Sequence, residues 1–320
     1  MLLSSFATDM QIHQGLNRLP DFQNTIITIG SFDGVHLGHL MLINSMLEAE
    51  KELGETSILI TFDPHPQQIL QKQSNPISLL TTLEEKCELL KRTELQHLVI
   101  APFNKKFSEI NAEQYVSDFL VSHFHPSTII IGHDHRFGKD RKGDIHLLNN
   151  LASKFQYQIQ QIPAYLIDSI SISSTRIRKE LSDGNISVAN ELLGYHYFFS
   201  GKVTKGNQIG RTIGFPTANI NVDAYKLIPG DGVYAVKVQL PETDQSFSGM
   251  MNIGMRPTVG GKTKTVEVHI FDFDADIYDK SITVKIFEKI RDEQKFDGLE
   301  SLKTALQNDY TKAVDILSRF

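Results

Sequence analysis

From residue 25 to about residue 170 the chain alternates between two hydrophobic patterns. Short apolar runs, TIITIG, SILITF, HLVIAP, STIIIG and QYQIQQIP, are rich in β-branched residues and predict buried parallel strands. Between them lie stretches with helical spacing. HLMLINSMLEAEKEL sets Leu42, Met46, Ala49 and Leu53 on one stripe, and NAEQYVSDFLVSHF and DIHLLNNLASKF behave similarly. Strand–helix alternation predicts right-handed βαβ units and an open, Rossmann-like α/β sheet. Ligands of such sheets bind outside the carboxyl ends of the strands, so the loops there are the first candidates for chemistry.

After Asn185 the pattern changes. ISVANELLG is a last short helix, and Phe198 to Ile290 contains only strands and turns. GVYAVKVQL puts Tyr234, Val236 and Val238 on one face. TVEVHI puts Val266, Val268 and Ile270 on one face and Glu267 and His269 on the other, and SITVKIF repeats the alternation. Short strands at this spacing predict a small antiparallel β-barrel. A terminal helix follows, with Asp297 and Glu300 at capping-box spacing and Leu299, Leu302, Leu306, Tyr310, Val314 and Leu317 as its apolar stripe. The expected organisation is an α/β domain over 1–184 and a barrel domain with a terminal helix over 185–320. The length of 320 residues, about twice the ~150-residue guide for one domain, agrees.

Composition narrows the function classes. The net charge of −6 argues against wholesale duplex binding, which needs a basic face. One cysteine excludes an intrachain disulfide and a Cys-rich zinc site. That residue, Cys87, has Leu83 and Leu90 at i−4 and i+3 and is expected to pack as a core thiol. The first residues lack the features of a signal or transit peptide, and no apolar run reaches the ~18 residues of a membrane span. The expectation is a cytoplasmic protein without membrane or nucleic-acid partners, working on small molecules as a monomer or weak homo-oligomer.

The sharpest motif is GSFDGVHLGH, Gly30–His39, directly after the strand TIITI. Glycines let backbone approach a ligand, and His36 and His39 share a face at a helix N-terminus, where backbone N–H groups favour an anion. Two donors there suit a phosphate that gains charge in a transition state. In isolation, two histidines that merely cap and pack explain the motif as well. The second element is SISSTRIRKEL, residues 171–181, where Ser173 or Ser174 is an N-cap and Ile177 and Leu181 face inward. Arg176 and Arg178 then stand at the positive end of a helix dipole, which makes sense if a polyphosphate lies between them. GHDHRFGKDRKGD (132–144) and FDPHPQQ (62–68) belong to the same rim and could shape a pocket for a flat ring and its phosphate.

In the barrel half, GKVTKGNQIGRTIGFPTANI almost imitates a P-loop through Gly201 and Gly206. Asn207 and Gln208 stand where Lys and Ser/Thr belong, and no helix follows, so Walker A is rejected. The functional alternative is a Gly-rich flap over phosphates with Thr217 and Asn219 as hard oxygen ligands for Mg²⁺, but taken alone the segment is better explained by a β-turn at Phe215-Pro216 followed by polar strand residues. Glu267 could orient and deprotonate an alcohol, although its periodicity alone slightly favours a solvated outer-face carboxylate.

Taken together these motifs resemble the bacterial bifunctional riboflavin kinase/FMN adenylyltransferase family, the FAD synthetases, over nearly all of the chain. The N-terminal half is similar through the loop Gly30–His39 and through Ser173–Arg178. The barrel half is similar through GFPTAN, DGVYA (231–235), NIGMRPT (252–258), VEVHIFDFD (266–274) and IRDEQKF (290–296). The resemblance implies ATP-dependent phosphorylation of riboflavin to FMN in the barrel domain. It implies AMP transfer from a second ATP to FMN, giving FAD and pyrophosphate, in the α/β nucleotidyltransferase domain, both with Mg²⁺. It implies that His36 and His39 are catalytic and that Gly30, Phe32, Asp33, Gly38, Ser173, Ser174, Thr175, Arg176 and Arg178 bind ATP. His65, Asp134, Phe137 and Arg141 would meet the flavin there. In the kinase half it implies Gly201, Gly206, Gly210, Arg211, Pro216, Thr217 and Asn219 for Mg-ATP, Glu267 as base, and Arg291 near the flavin. Two departures are His135, where the family has an aromatic residue, and Tyr195-His196 after the linker helix. The rival readings are a kinase whose adenylylation site is impaired around His135, and a non-catalytic flavin-sensing protein.

Overall fold

The computed structural model describes residues 10–70, 77–164, 166–167, 170–205, 210, 213–241, 243, 245–258 and 261–320. Two compact units emerge: one runs to Ile77 and resumes over Lys86–Ser173, and the other joins Ser78–Glu85 to Ser174–Phe320.

The first unit is built on six parallel strands, β1 (Gln11–Gln14), β2 (Thr25–Ile29), β3 (Ser57–Asp63), β4 (His97–Pro102), β5 (Pro126–Gly132) and β6 (Gln158–Ile162). They lie in the order β1-β4-β3-β2-β5-β6. All five residues of β2 are buried, as two-sided coverage by helices requires. Strand β1 is not anticipated by the hydrophobic pattern, because QIHQ is an exposed edge with only Ile12 apolar. The order reverses direction between β2 and β5, so the loops leaving those two strands border the crevice where such sheets bind ligands.

Helix α1 (Leu37–Leu53) leaves β2 and ends on Gly54, whose φ of 67° is the left-handed cap that glycine favours. Its buried positions are Ile43, Met46 and Leu47, and Leu53 is 56% exposed. The expected stripe shares only Met46 with that face, since two overlapping apolar stripes exist and the sheet selects one. Helix α2 (Pro66–Leu70) follows β3, and α3 (Leu83–Leu90) follows it. Cys87 is only partly buried, and α3 instead buries Glu85, Lys86, Leu89 and Leu90. Short helices α4 (Lys105–Ser108) and α5 (Ala112–Gln114) run into π-helical turns over Tyr115–Val121 and then α6 (Ser122–Phe124). Helix α7 (Ile145–Phe155) is capped by Asp144, whose carboxylate accepts from Leu147 N–H at 3.1 Å. A small antiparallel pair, β7 (Leu166–Ile167) and β8 (Ile170–Ser171), completes this unit.

The second unit opens with α8 (Ser174–Asp183), which buries Ile177 and Leu181 as expected, and α9 (Ile186–Leu193). Its strands are β9 (Phe198–Thr204), β10 (Ala218–Val222), β11 (Gly232–Gln239), β12 (Ser246–Thr258), β13 (Gly261–Ile270) and β14 (Ser281–Arg291). They form a closed antiparallel barrel, β10-β13-β12-β11-β14-β9, sealed by β9 against β10. Helix α10 (Leu299–Leu317) packs on it through Ala313, Ile316 and Leu317 against Phe215, Met250, Phe271 and Phe287. The expected stripe is shifted: Leu299 and Val314 are 58% and 43% exposed, while Asp309 is buried. The helix starts after Gly298 without a side-chain cap, so the Asp297/Glu300 box does not form.

Segment Ser78–Glu85 adds to this unit through Leu79, whose backbone bonds Tyr225 O at 2.6 Å and accepts from Leu227 N at 2.8 Å. Thr82 and Glu85 form a reciprocal capping box. Glu85 also meets the Lys226 ammonium at 2.6 Å, with side-chain exposures of 4% and 1%. Glu85→Ala would leave that ammonium buried without its carboxylate. The expected loss of stability is about 3–5 kcal/mol, read from urea unfolding of the full chain. A shift within about 0.5 kcal/mol would mean that the ammonium's remaining partners, among them Leu80 O at 2.5 Å, suffice. Among the described residues no helix is long and apolar enough to cross a membrane.

Candidate active sites

In the first unit, the loop between β2 and α1 gathers most of the predicted residues. Phe32, Gly34 and Val35 have φ of 45°, 85° and 38°, so the backbone coils tightly and turns Asp33 and His36 inward, where both are buried. His36 caps α1, its Nδ1 accepting from His39 N–H at 3.3 Å. The two imidazoles stack with centroids 3.6 Å apart and planes 14° apart. Gly38 makes room for this: a Cβ there would lie 3.3 Å from two atoms of the His36 ring. Phe32 packs beside His39 at 5.0 Å, and a Cβ at Gly30 would press on the Phe32 ring at 3.2 Å.

Burial first, then the charges of His36 and Lys86, hold the His39 pKa well below its usual value, so the ring is neutral near pH 7. Its Nδ1 is buried and has no hydrogen-bond partner among the described residues. Such an orphaned atom is what a ligand-binding site leaves for its ligand. Lys86 is buried close by. Its ammonium donates to Ser31 O at 2.7 Å and to Thr61 Oγ1 at 3.2 Å.

The other rim residues separate. His65 is buried; its N–H donates to Gln68 Oε1 at 2.9 Å and its Nδ1 accepts from Gln67 N–H at 3.2 Å, which shapes the start of α2. Phe137 lies in the core, 5.1 Å from Tyr115 and bridged to Gly143. Asp134 and Arg141 stand on the exposed part of the loop. His135 lies over Phe137 at 5.8 Å, and burial pushes its pKa down to about 4, so it serves as a neutral ring. Ser173 closes this unit.

Ser174, Thr175, Arg176 and Arg178 open α8 in the second unit. Arg176 Nε donates to the buried Glu180 carboxylate at 2.5 Å, and Arg178 Nε donates to Ser78 O at 2.9 Å. Each arginine thus has a partner within its own unit.

The barrel unit holds a cavity of about 300 Å³, lined among others by Phe215, Thr217, Met250, Glu267, Arg291 and Leu306. Thr217 and Glu267, fifty residues apart in the chain, meet at it, and Asn219 is placed next to Glu267 by strand pairing. Asn219 is the register partner of Glu267 across β10 and β13, and Thr217 Oγ1 donates to Glu267 Oε2 at 3.4 Å. His269 is held neutral chiefly by burial and donates from Nδ1 to Pro216 O at 2.7 Å, fixing the turn before Thr217. Gly210 is a required glycine, since a Cβ there would lie 2.1 Å from Phe215 O. Gly201 sits inside β9, where a Cβ would strike Ile220 and Asn221 of β10, so strand packing accounts for it. Gly206 and Arg211 lie outside the described residues.

Arg291 reaches the cavity with its guanidinium gripped by buried Asp309, Nε to Oδ1 at 2.9 Å and Nη2 to Oδ2 at 2.7 Å. It also donates to Asp292 O and lies 5.5 Å from the Phe296 ring. Asp309 was not anticipated. Its signal was a carboxylate within the spacing Leu302, Leu306, Asp309, Ala313 of an otherwise apolar face. Lys86, likewise unanticipated, lies three and four residues before the buried Leu89 and Leu90.

The sequence model described as FAD synthetase matches residues 19–176, and the one described as riboflavin kinase matches residues 193–317. A bifunctional riboflavin kinase/FMN adenylyltransferase of Buchnera aphidicola is 37% identical over 94% of this chain and 96% of its own. Its namesake in Haemophilus influenzae is 36% identical over 95% and 98%, and that of Escherichia coli is 35% identical over 94% and 96%. A crystal structure described as a macrolide-efflux protein from Streptococcus pneumoniae has a TM-score of 0.84 at 30% identity, covering 95% of this chain and 98% of that one.

Proposed function

Because the chain belongs to the bifunctional riboflavin kinase/FMN adenylyltransferase family, we propose a division of labour along its length: residues 185–320 phosphorylate riboflavin, and residues 1–184 adenylylate the resulting FMN. The whole chain is a transferase that makes FMN and then FAD, with ATP consumed at each step. The observation that carries the residue assignment is the meeting of Thr217 and Glu267 at one cavity, with Asn219 paired to Glu267 across the two strands.

In the kinase step, Glu267 orients the ribityl 5′-hydroxyl and takes its proton as the oxygen bonds to the γ-phosphorus of ATP. The bond from that phosphorus to the ADP oxygen breaks, and FMN and ADP leave. The flavin lies against the apolar wall of the cavity, with Arg291 held ready by Asp309. Magnesium fits the corner, since a hydroxyl, an amide oxygen and a carboxylate are hard oxygen donors. Thr217 and Asn219 would hold it, and when bound it neutralises phosphate charge.

In the adenylylation step, an FMN phosphate oxygen attacks the α-phosphorus of ATP and pyrophosphate departs. No covalent enzyme intermediate is needed, so the task of His36 and His39 is to orient the phosphates and stabilise their growing charge. The orphaned Nδ1 of His39 and the fixed cap geometry of His36 support this role. The remaining loop residues and Ser173 bind ATP, with His65, Asp134, Phe137 and Arg141 on the flavin side. The same reading has the enzyme act in the cytoplasm on small molecules alone, as a monomer or weak homo-oligomer.

Nucleotide products test the division. Riboflavin with ATP should release ADP first, and FMN with ATP should release pyrophosphate without ADP. ADP released during FMN turnover would break the assignment. A fragment of residues 185–320 contains the proposed kinase residues and is expected to phosphorylate riboflavin. It lacks Glu85, so its melting point should fall below that of the barrel transition in the full chain. A fragment with no kinase activity, though folded by circular dichroism, would move a kinase residue to before position 185.

A further inference from the structure

Lys86 stands outside the motifs discussed so far, yet it is bound to the most constrained loop of the first unit. A buried ammonium is costly unless charge and hydrogen bonds compensate it. Here the compensation converges on one atom. Ser31 O accepts from Lys86 Nζ at 2.7 Å and from Thr61 Oγ1 at 3.1 Å, and Lys86 also donates to Thr61 Oγ1 at 3.2 Å. Ser31 belongs to the loop that carries His36 and His39, and Thr61 belongs to β3. Directly after Ser31 the backbone passes through left-handed φ at Phe32 and Val35, neither of them glycine. Such conformations persist only where the surroundings over-determine them.

We propose that Lys86 is a positioning residue of the adenylyl-transfer site, its ammonium clamping the Ser31 carbonyl to β3 so that the coiled loop presents His36 and His39 in reactive register. This rests on the adenylyltransferase reading of that loop. The groups facing Lys86 are Asp33, Asp63 and the Cys87 thiol, and those facing His39 are His36 and Lys86. The clamp therefore also acts electrostatically. Its positive charge opposes protonation of His39, so removing it should raise the pH at which that ring titrates.

The test is Lys86→Met in the full chain, with three readouts: FAD formation from FMN and Mg-ATP, FMN formation from riboflavin, and NMR titration of the His39 ring. The expected result is a fall of about tenfold or more in kcat for FAD, with little change in KM for ATP, because a small misplacement acts on the transition state. Riboflavin phosphorylation stays at the wild-type rate, and His39 titrates at higher pH. Thr61→Val removes one anchor of the clamp but no charge, and serves if Lys86→Met does not fold. It should give a smaller loss confined to FAD formation, with His39 titration unchanged. A Lys86→Met enzyme with wild-type kcat and His39 titration overturns the proposal, as does parallel loss of both activities, or a Thr61→Val enzyme indistinguishable from wild type. A wild-type chain that forms no FAD would sink the adenylyltransferase reading instead, and the His39 titration would still judge the clamp.

Discussion

His36→Ala is expected to abolish FAD formation while FMN formation continues at the wild-type rate, and His39→Ala is expected to do the same. Both rings are held by the structure before any ligand arrives: His36 by capping α1, His39 by stacking on His36 and by packing against Phe32. Removing one preorganised group that stabilises transition-state charge costs about 10²–10³-fold in turnover. FMN made by the other site should therefore accumulate when riboflavin and Mg-ATP are supplied. Chromatography of the reaction mixture checks this. Equal loss of FMN and FAD in a variant with wild-type unfolding would contradict the two-site assignment. The loss of the His36 cap itself costs about 1 kcal/mol, too little to unfold a domain by itself.

Glu267→Gln should produce the opposite pattern. The amide keeps the size of the carboxylate and can still accept from Thr217, but it cannot take a proton from an alcohol. Loss of general-base assistance is worth about 10²–10⁴-fold, so riboflavin phosphorylation should fall by that order. FMN supplied directly should still become FAD, because that substrate already carries its nucleophilic phosphate. ATP affinity at the kinase site should also weaken if Glu267 helps Thr217 and Asn219 hold Mg²⁺. Wild-type phosphorylation in Glu267→Gln would return Glu267 to the role of a half-buried strand carboxylate.

The sequence revealed those parts of the structure that depend on local pattern. Strands β2 to β5 are apolar runs that only a covered sheet can bury, and they stand where the runs predict; β6 forms where expected but as a mostly exposed edge strand, QIQQI, with Ile162 buried. Strand β1 escaped because an edge strand needs no such run: it pairs with β4 through backbone, aided by a His13–His97 side-chain contact at 3.0 Å that the sequence does not show. Helix faces were legible only where one stripe existed. In α8, Ile177 and Leu181 are buried as read, whereas α1 offers two stripes and α10 gives a core position to Asp309.

The site divides in the same way. His36 and His39 are close in sequence, so one helical turn brings them together. Thr217 and Glu267 meet only through the register of β10 on β13, which the alternation of each strand leaves open. The Arg291–Asp309, Lys86–Ser31 and Lys226–Glu85 contacts were not legible, because a charge buried by a distant partner looks like a surface charge until the partner is known. Phe137 shows the converse. Its loop position points to the flavin side of the site, and its packing against Tyr115 in the core is the contact that the sequence does not show.

The most direct measurement is a time course of the purified chain with riboflavin and Mg-ATP, resolving riboflavin, FMN and FAD by chromatography. The account predicts that FMN appears first, that FAD follows at its expense, and that withholding ATP stops both. A chain that binds riboflavin but yields neither product, under oxidising and reducing conditions alike, would contradict it.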